Sequence, residues 1–317
     1  MLNNGGAEHD RMTTTLTAAP PRTTTALPVL AAGVTMVLWA SAFIAIRAVG
    51  VHYTPGAMAA GRLGVGALAL TGFALFRAAR GRPVRVPRGK PLLLVVAYGV
   101  LWFGVYAVLI NAAERHLDAG TTALLINVGP ILIAVVAGLF LGEGFPRGLV
   151  TGLSIAFVGV LTIALATSTG RYDLAGALLA LGAAALYAVG VLLQKAALRD
   201  VDPLPATWLG CVAGLVVCLP FAPALWHEVG AAPFAATAGI VYMGLFPTAI
   251  AFGTWSYALA HTSAGRLSSS SYLVPALAVL LSWLVLGEAP VPLALVGGAL
   301  CLAGVAVTRL PTRARAA

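Results

Sequence analysis

The sequence contains little charge and, in particular, few acidic residues. Only 9% of its 317 residues are charged, and Asp and Glu together number ten. A soluble domain carries about 25% charged residues, which cover its surface with polar groups. With 60% hydrophobic residues and so little charge, the composition excludes a soluble globular domain and predicts a protein whose solvent is the lipid bilayer.

Several motifs that would indicate an enzyme or a pump are missing. The sequence has no GxxxxGK(S/T) loop to bind nucleotide phosphates, so an ATP-driven pump is not expected. It has no HExxH motif and no aspartate within an apolar run, which argues against metalloprotease and aspartyl-protease chemistry. Cys211, Cys218 and Cys301 lie in apolar runs without CxxC spacing, as small buried residues do. We therefore expect no cofactor, no metal and no enzymatic activity, and a membrane enzyme or receptor is a distant alternative.

What the sequence does contain is a series of ten long apolar runs. A helical crossing of the hydrocarbon core needs roughly 20 predominantly apolar residues. The runs cover residues 30–50, 56–76, 91–111, 119–141, 148–167, 174–194, 204–225, 236–260, 267–286 and 291–308. They predict an all-α integral membrane protein with ten transmembrane helices. A disordered cytoplasmic tail at 1–28 and a basic cytoplasmic tail at 309–317 are expected to flank them.

The basic residues are distributed unevenly between the two sides that ten crossings create. With a cytoplasmic N-terminus, fifteen of the 19 basic residues fall on the inner side, Arg62 lies within a crossing, and three fall outside, namely Arg47, Arg115 and Arg171. Cytoplasmic loops of membrane proteins carry an excess of Lys and Arg. The net charge of +9 therefore indicates membrane orientation and no nucleic-acid partner. We expect a multi-pass protein of the cytoplasmic membrane with both termini in the cytoplasm.

The two halves of the sequence repeat each other. The stretch PILIAVVAGLFLGE at 130–143 recurs 145 residues later as PALAVLLSWLVLGE at 275–288. In the earlier part of each half the offset is 148, which aligns Arg47 with Lys195. Because each copy holds five crossings, an odd number, the second copy enters the membrane inverted, as in carriers that open alternately to either side. The sequence thus predicts two inverted five-helix repeats, 29–167 and 174–308.

Four stretches also resemble one transporter family. They are LWASAFIAIRAVG in the first run, PGAMAAGRLGVGALAL in the second, and the paired runs that end in LGE. Together with the ten crossings, they resemble the EamA-type transporters of the drug/metabolite transporter superfamily over residues 30 to 308. The resemblance implies a secondary transporter that exports small organic metabolites by alternating access.

The lack of acidic residues within the apolar runs limits the class of substrate that we expect. A cationic drug would need a desolvated carboxylate, and the sequence places no acidic residue in the middle of an apolar run. Neutral, zwitterionic or aromatic solutes such as amino acids fit better, while a multidrug exporter and a flippase for lipid-linked precursors stay as alternatives. The expected partners are a small-molecule substrate and the lipid bilayer. Proton coupling and the oligomeric state are left open.

One arginine is expected inside the membrane. Arg62 lies about a third of the way into the second run, and its counterpart in the second half is Gly210. A charge at the centre of a crossing costs roughly 2.5 to 3.5 kcal/mol on insertion scales, so it needs a partner or water. Arg62 either binds a substrate carboxylate, or it reaches an interface or bonds to carbonyls of a neighbouring helix.

Polar residues at matched depths extend this candidate site. Asn127 and Tyr272 occupy equivalent positions, each three residues before a proline, and both are expected to border one central cavity. Hydrogen bonding between helices is the other interpretation of Asn127. Four serines at 268–271 cover one helical turn, so only one or two of them face a cavity, and the others bond back to the preceding turn.

Aromatic residues away from the membrane interfaces complete the set. Trp39, Trp102 and Tyr187 lie deeper than interfacial anchors usually do, so a place in a pocket wall is weighed against anchoring. The full set of candidate substrate-binding residues is Trp39, Arg62, Trp102, Asn127, Tyr187, Trp255, Ser268, Ser271 and Tyr272.

The repeated glutamate marks the end of a helix in each half. Glu143 and Glu288 both follow a glycine at the end of an apolar run, where a negative charge opposes the helix dipole. A salt bridge or a cap to a neighbouring loop would compensate this charge. A contact that gates the transport pathway is the functional alternative.

Overall fold

The computed structural model describes residues 26–117, 119–167, 173–287, 291–308 and 310, and within these residues every regular element is a helix. The α-helices are α1 Ala26–Val49, α2 Pro55–Ala79, α3 Lys90–Tyr98, α4 Tyr106–His116, α5 Ala119–Ile126, α6 Gly129–Phe140, α7 Arg147–Thr167, α8 Leu174–Ala197, α9 Pro203–Cys218, α10 Ala222–Ala231, α11 Phe234–Met243, α12 Ala251–His261, α13 Ala264–Ser269, α14 Leu273–Leu286 and α15 Pro292–Thr308. Longer helices are interrupted by two π-helical stretches, Gly99–Val105 and Gly244–Ile250, and by two 3₁₀ turns, Leu219–Phe221 and Ser270–Tyr272.

Most of these helices join into segments that can cross a bilayer. In the part of the chain that the structure describes, eight segments are long and apolar enough: Ala26–Val49, Pro55–Ala79, Lys90–His116, Arg147–Ala166, Leu174–Ala197, Pro203–Ala231, Phe234–His261 and Ala264–Val285. Two shorter apolar helices, Leu124–Phe140 and Pro292–Thr308, coincide with the other two predicted crossings. Large apolar side chains such as Phe140 and Leu165 are exposed on the outside, as a lipid-facing surface requires. The protein is therefore an all-helical, multi-pass membrane protein.

Helices α7 and α15 pack closely because glycine lines their contact. A Cβ atom built on Gly159 would lie 2.7 Å from the carbonyl oxygen of Gly297, and one on Gly152 would lie 2.5 Å from that of Gly304. Side chains do not approach backbone so closely, so glycine is required at this separation. Small residues let helices approach in membranes, where van der Waals packing drives association. The two helices thereby form a tight antiparallel pair.

Each of two long segments contains a π-helical stretch in its middle. In Gly244–Ile250 the ring of Pro247 has no N–H to donate, and the carbonyl oxygen of Met243 instead accepts the hydroxyl of Thr248 at 2.8 Å. Side-chain hydroxyls and local changes of helix type satisfy backbone groups in this way inside membranes. Within the other stretch, Gly99 packs on Gly210 of α9. Both stretches thus contact another helix through glycine.

Helix α8 begins at a capping aspartate. The Asp173 carboxylate accepts the backbone N–H of Ala175 at 2.9 Å and lies 2.6 Å from Nδ1 of His116. The hydrogen bond from the Ala175 amide stabilises the ionised carboxylate most, and the bond with His116 adds to it. The pKa of the Asp173 carboxyl is therefore below its usual range. This pair joins the end of α4 to the start of α8 on the exposed surface.

Two charged side chains hold the corner at residues 261–265, where α12 ends and α13 begins. The Glu143 carboxylate accepts the backbone N–H groups of Ala264 at 2.6 Å and Gly265 at 2.9 Å. The Lys195 ammonium donates to the carbonyl oxygens of Leu259 at 2.7 Å and Thr262 at 2.6 Å. An anion at a helix N-terminus and a cation at a C-terminus both complement the helix dipole. Glu143 is thus a cap on another helix, whereas Glu288 lies outside the described residues.

Candidate functional site

A cavity of about 100 Å³ lies among the helices, and aromatic side chains form part of its lining. A water molecule needs roughly 10 to 15 Å³ by this measure, so the space holds several waters or a small solute. Its walls are formed by Trp39, Ala42, Phe43, Ile46, Arg62, Trp102, Tyr106, Ile110, Ile126, Asn127, Pro130, Tyr187, Phe252, Ser271 and Val274. Both halves of the sequence therefore contribute to one cavity.

Aromatic rings form one wall of this cavity. The centroid of the Trp39 ring lies 6.1 Å from that of Trp102 and 5.4 Å from that of Phe252, and Trp102 and Phe252 are 5.0 Å apart. All three pairs meet edge to face, an arrangement favoured by the ring quadrupoles. Trp102 also lies 5.4 Å from Tyr187. Such a wall is rigid and suits an apolar or aromatic part of a solute.

The polar groups of the cavity are few and are held in place. Arg62 donates from Nε to Oγ1 of Thr248 at 3.2 Å. The hydroxyl of Tyr187 and Oγ of Ser271 are 2.8 Å apart, which links α8 to the 3₁₀ turn before α14. With Asn127 also on the wall, one cation and several neutral hydrogen-bonding groups face an otherwise apolar space. This combination can bind a small solute that has an anionic group and an apolar part.

Six of the nine candidate residues line the cavity, and three do not. The six are Trp39, Arg62, Trp102, Asn127, Tyr187 and Ser271. Trp255 is fully buried beneath Trp39, with ring centroids 4.9 Å apart, and its Nε1 donates to Gln194. Ser268 donates back to the carbonyl oxygen of Gly265 at 3.1 Å, the local bonding expected for part of the serine turn.

Tyr272 is the third residue outside the wall. It is fully buried, and its hydroxyl donates to the backbone carbonyl oxygen of Asn127 at 3.0 Å. The expectation that Asn127 and Tyr272 face each other across a cavity is therefore replaced by direct contact between their helices. The phenol of Tyr272 fills the space between the two helices, so no cavity separates these two positions.

Several residues of the site were not in the candidate set. Tyr106 follows Trp102 by four residues and so lies on the same helix face, a spacing that the sequence does show. Thr248 meets Arg62 across 186 residues of sequence, and no local pattern indicates that contact. Glu114 of α4 does not line the cavity, but it has a buried Oε1 without a hydrogen-bond partner in the described part of the chain.

The side of the cavity towards the 261–265 corner is closed by a buried polar network. Nε2 of Gln194 donates to Oγ of Ser256 at 2.7 Å, and Ser256 lies 2.7 Å from Oγ1 of Thr207. Trp255 joins this network through Gln194 at 3.1 Å. All four residues are completely buried. The cavity walls instead continue towards the opposite end of the bundle, through Ile46 of α1 and Ile110 of α4.

Comparison with solved structures indicates a known fold. One crystal structure superimposes with a TM-score of 0.72 at 20% sequence identity and covers 90% of this chain and 97% of its own. This likeness shows the helical fold.

Comparison with curated proteins gives relatives over nearly the whole chain. A protein of Streptantibioticus cattleyicolor named "probable terminal-alkyne amino-acid exporter" is 39% identical, over 89% of this chain and 93% of its own. An uncharacterized transporter of Bacillus subtilis is 35% identical over 86% and 88%, respectively. A "probable amino-acid metabolite efflux pump" of Salmonella typhimurium is 26% identical over 88% and 94%.

The family comparison matches both halves of the chain. The sequence model of the EamA-like transporter family matches residues 26–165 and matches again at 174–310. The two matches contain all the residues that line the cavity. The resemblance noted from the sequence is thereby confirmed. This chain belongs to the EamA-like transporter family.

Proposed function

We propose that this protein is a secondary transporter that exports small organic metabolites, amino acids among them, across the cytoplasmic membrane by alternating access. The observation that carries the proposal is the cavity, whose lining combines Arg62 with an aromatic wall. An α-amino acid offers a carboxylate for the first and a side chain for the second. Two relatives named as an amino-acid exporter and an amino-acid metabolite efflux pump support the same substrate class.

The proposed architecture is ten transmembrane helices in two inverted repeats, 29–167 and 174–308. Contacts between equivalent positions support it. Cys301 Sγ lies 3.6 Å from the carbonyl oxygen of Ala156, and Tyr272 bonds to Asn127, and in both pairs the two residues are 145 apart in sequence. A residue that touches its own equivalent lies on the two-fold axis that relates the copies. Two such pairs support a two-fold axis through the bundle.

The π-helical stretches support the same symmetry. Gly99–Val105 and Gly244–Ile250 have the same length and lie 145 residues apart. Each packs on a helix of the other half: Gly99 on Gly210, and Gly244 on the carbonyl oxygen of Arg62. Gly210 is in turn the counterpart of Arg62 at the offset of 148. The contact of Gly99 with Gly210 is therefore equivalent to the contact of Gly244 with Arg62, as inverted repeats require.

The proposed orientation puts both termini in the cytoplasm. The loop between α2 and α3 carries Arg80, Arg82, Arg85 and Arg88, all exposed. An excess of Lys and Arg on the cytoplasmic side supports this direction of insertion. The cavity then extends towards the outside, and the Gln194 network closes it from the cytoplasm.

Transport by purified protein in liposomes tests the proposal. Export is measured as efflux of preloaded radiolabelled solutes, with a panel of amino acids, a cationic dye and a lipid-linked precursor. We expect saturable efflux of amino acids and none of the other two. Dye efflux alone would support the multidrug alternative, movement of the lipid would support the flippase, and no transport of any solute would contradict a carrier. The same vesicles with an imposed pH gradient test proton coupling.

A further inference from the structure

The side chain of Arg62 is held by one hydroxyl from the other half of the protein. Nε of Arg62 donates to Oγ1 of Thr248 at 3.2 Å, and Oγ1 of Thr248 lies 2.8 Å from the carbonyl oxygen of Met243. A hydroxyl has one proton and two lone pairs. Because a carbonyl only accepts, the Thr248 proton points to Met243, and its lone pair faces Arg62. The direction of both bonds is therefore fixed.

The π-helical stretch places this hydroxyl. Thr248 is fully buried and follows Pro247, and the carbonyl that it satisfies belongs to the residue just before the stretch. Gly244 packs against Arg62 itself, since a Cβ there would lie 2.7 Å from the Arg62 carbonyl oxygen. Backbone contact at Gly244 and side-chain contact at Thr248 thus fix Arg62 at two points. π-helical turns within α-helices are frequent at functional sites.

Holding Nε leaves the other edge of the guanidinium for a ligand. In the described part of the chain, the Thr248 bond is the one hydrogen bond from Arg62 to protein, and Glu114 forms no ion pair with it. Arg62 also lines the cavity. The two terminal nitrogens of arginine form a planar fork that matches both oxygens of a carboxylate. An arginine fixed at Nε presents that fork in one orientation.

The equivalent place in the other half has no such group. Thr248 corresponds to Phe103 at the offset of 145, and Arg62 corresponds to Gly210. Around Phe103 the packing is apolar and close, since a Cβ on Gly214 would lie 2.5 Å from its Cβ. The cavity therefore has one positive pole, on one side of the proposed symmetry axis. A carboxylate bound there orients the rest of the solute towards the aromatic wall.

We propose that Thr248 is a positioning residue that holds Arg62 for two-point recognition of a substrate carboxylate, and thereby selects α-amino acids over analogues without that carboxylate. This inference rests on the proposed transport of amino acids. It adds the group that is recognised and the residue that sets the geometry of recognition.

The experiment compares each amino acid with its carboxamide, which keeps the side chain and the amino group but has no carboxylate. Efflux kinetics are measured for the wild type, Thr248→Val, Thr248→Ala and Thr248→Ser. Thr35→Val is the matched control, because Thr35 is equally buried and its hydroxyl also donates to a backbone carbonyl oxygen, but it does not contact Arg62. Valine keeps the shape of threonine without its hydroxyl, and serine restores the hydroxyl.

We expect Thr248→Val and Thr248→Ala to raise KM for the amino acid about tenfold, as loss of a hydrogen bond to a charged group does. KM for the carboxamide should change less than twofold, and Thr248→Ser should restore the wild-type ratio of the two KM values. In an Arg62→Lys background, which lacks the fork, Thr248→Val should add little, because the two residues act as a unit.

Any one of the following results would overturn the inference. Equal rises in KM for amino acid and carboxamide, as with a general loss of packing, would show that Thr248 has a structural role alone. If the valine variant does not fold, an unchanged ratio of the two KM values in Thr248→Ala would show the same. If the wild type transports amino acids and all Thr248 variants have the same KM values as the wild type, the positioning role of Thr248 is excluded and the proposed function stands. Wild-type protein that transports no amino acid would remove both.

Discussion

At the scale of single residues, the site depends on where one charge is held. Arg62 lies inside the bundle, and the structure gives it a hydroxyl partner and a cavity wall. Reaching an interface is one form of the structural interpretation of this arginine. The bond to Thr248 instead keeps the guanidinium within the protein, beside the space that a solute would occupy. We then expect the planar shape of the guanidinium to matter more for substrate binding than its charge alone, since arginine and lysine differ in geometry.

Arg62→Lys tests that distinction. Lysine keeps the positive charge but lacks the planar fork and the Nε–H that Thr248 accepts. We expect KM for zwitterionic amino acids to rise about tenfold or more, as loss of a charged hydrogen bond does, while the amount of protein in the membrane is unchanged. Arg85→Lys, in the exposed loop, is the control and should behave as wild type. Parallel loss of abundance and transport in Arg62→Lys would instead assign the arginine a structural role.

At the scale of elements, glycine contacts and charged caps set how helices meet. The α7 and α15 pair is close along its length because Gly152, Gly159, Gly297 and Gly304 have no side chain to separate the backbones. The 261–265 corner is held by charge instead, with Glu143 at one helix start. The first contact is close packing of glycine against backbone, whereas the second consists of hydrogen bonds to a charged side chain.

Gly159→Val should destabilise the helix pair. The new side chain would meet the Gly297 carbonyl and the Cys301 sulfur at 2.7 and 2.8 Å, and overpacking of this kind costs about 1 to 3 kcal/mol. We expect a lower melting temperature of the purified protein in detergent and less protein in the membrane. Gly33→Val is the matched control, because nothing lies within 4 Å of a Cβ there. Equal melting temperatures for the two variants would contradict the close packing.

Glu143→Gln should loosen the 261–265 corner. Glutamine accepts with one neutral oxygen where the carboxylate accepts two backbone N–H groups, and bonds to charged groups contribute about 1.5 to 3 kcal/mol. We expect faster hydrogen–deuterium exchange at the amides of Ala264 and Gly265. Asp173→Asn, which weakens a carboxylate cap on α8 instead, should leave that exchange unchanged. If Glu143→Gln also exchanges as wild type, the cap contributes little to the stability of the corner.

At the scale of the whole molecule, the sequence indicates a series of long apolar helices, and the structure shows how the described helices face each other. Apolar runs follow from composition alone, so the helical membrane class and the family could be recognised from residues such as Arg62 in its motif. The position of Tyr272 behind the wall, and of Thr248 against Arg62, depends on helix rotation and on contacts between distant segments. Those contacts are absent from any local pattern, since 186 residues separate Thr248 from Arg62.

The proposed orientation is tested by labelling single cysteines in intact cells. Val86→Cys lies in the basic loop and Val51→Cys in the loop after α1, and both side chains are exposed. The native cysteines are buried, so the parent chain provides the blank. An impermeant maleimide added outside should label the cysteine at position 51 and not the one at position 86. The reverse pattern would contradict cytoplasmic termini.

The contact between Tyr272 and Asn127 also bears on how such a protein can arise. In an assembly of two identical inverted subunits, a residue on the symmetry axis always meets another copy of itself. Two tyrosines there would compete for one space, and two asparagines would leave it unfilled. In this chain a large phenol meets the main chain of a small amide residue instead. On the proposed two-fold axis, such an unlike pair requires two copies of the sequence that can change separately, which a duplicated gene provides.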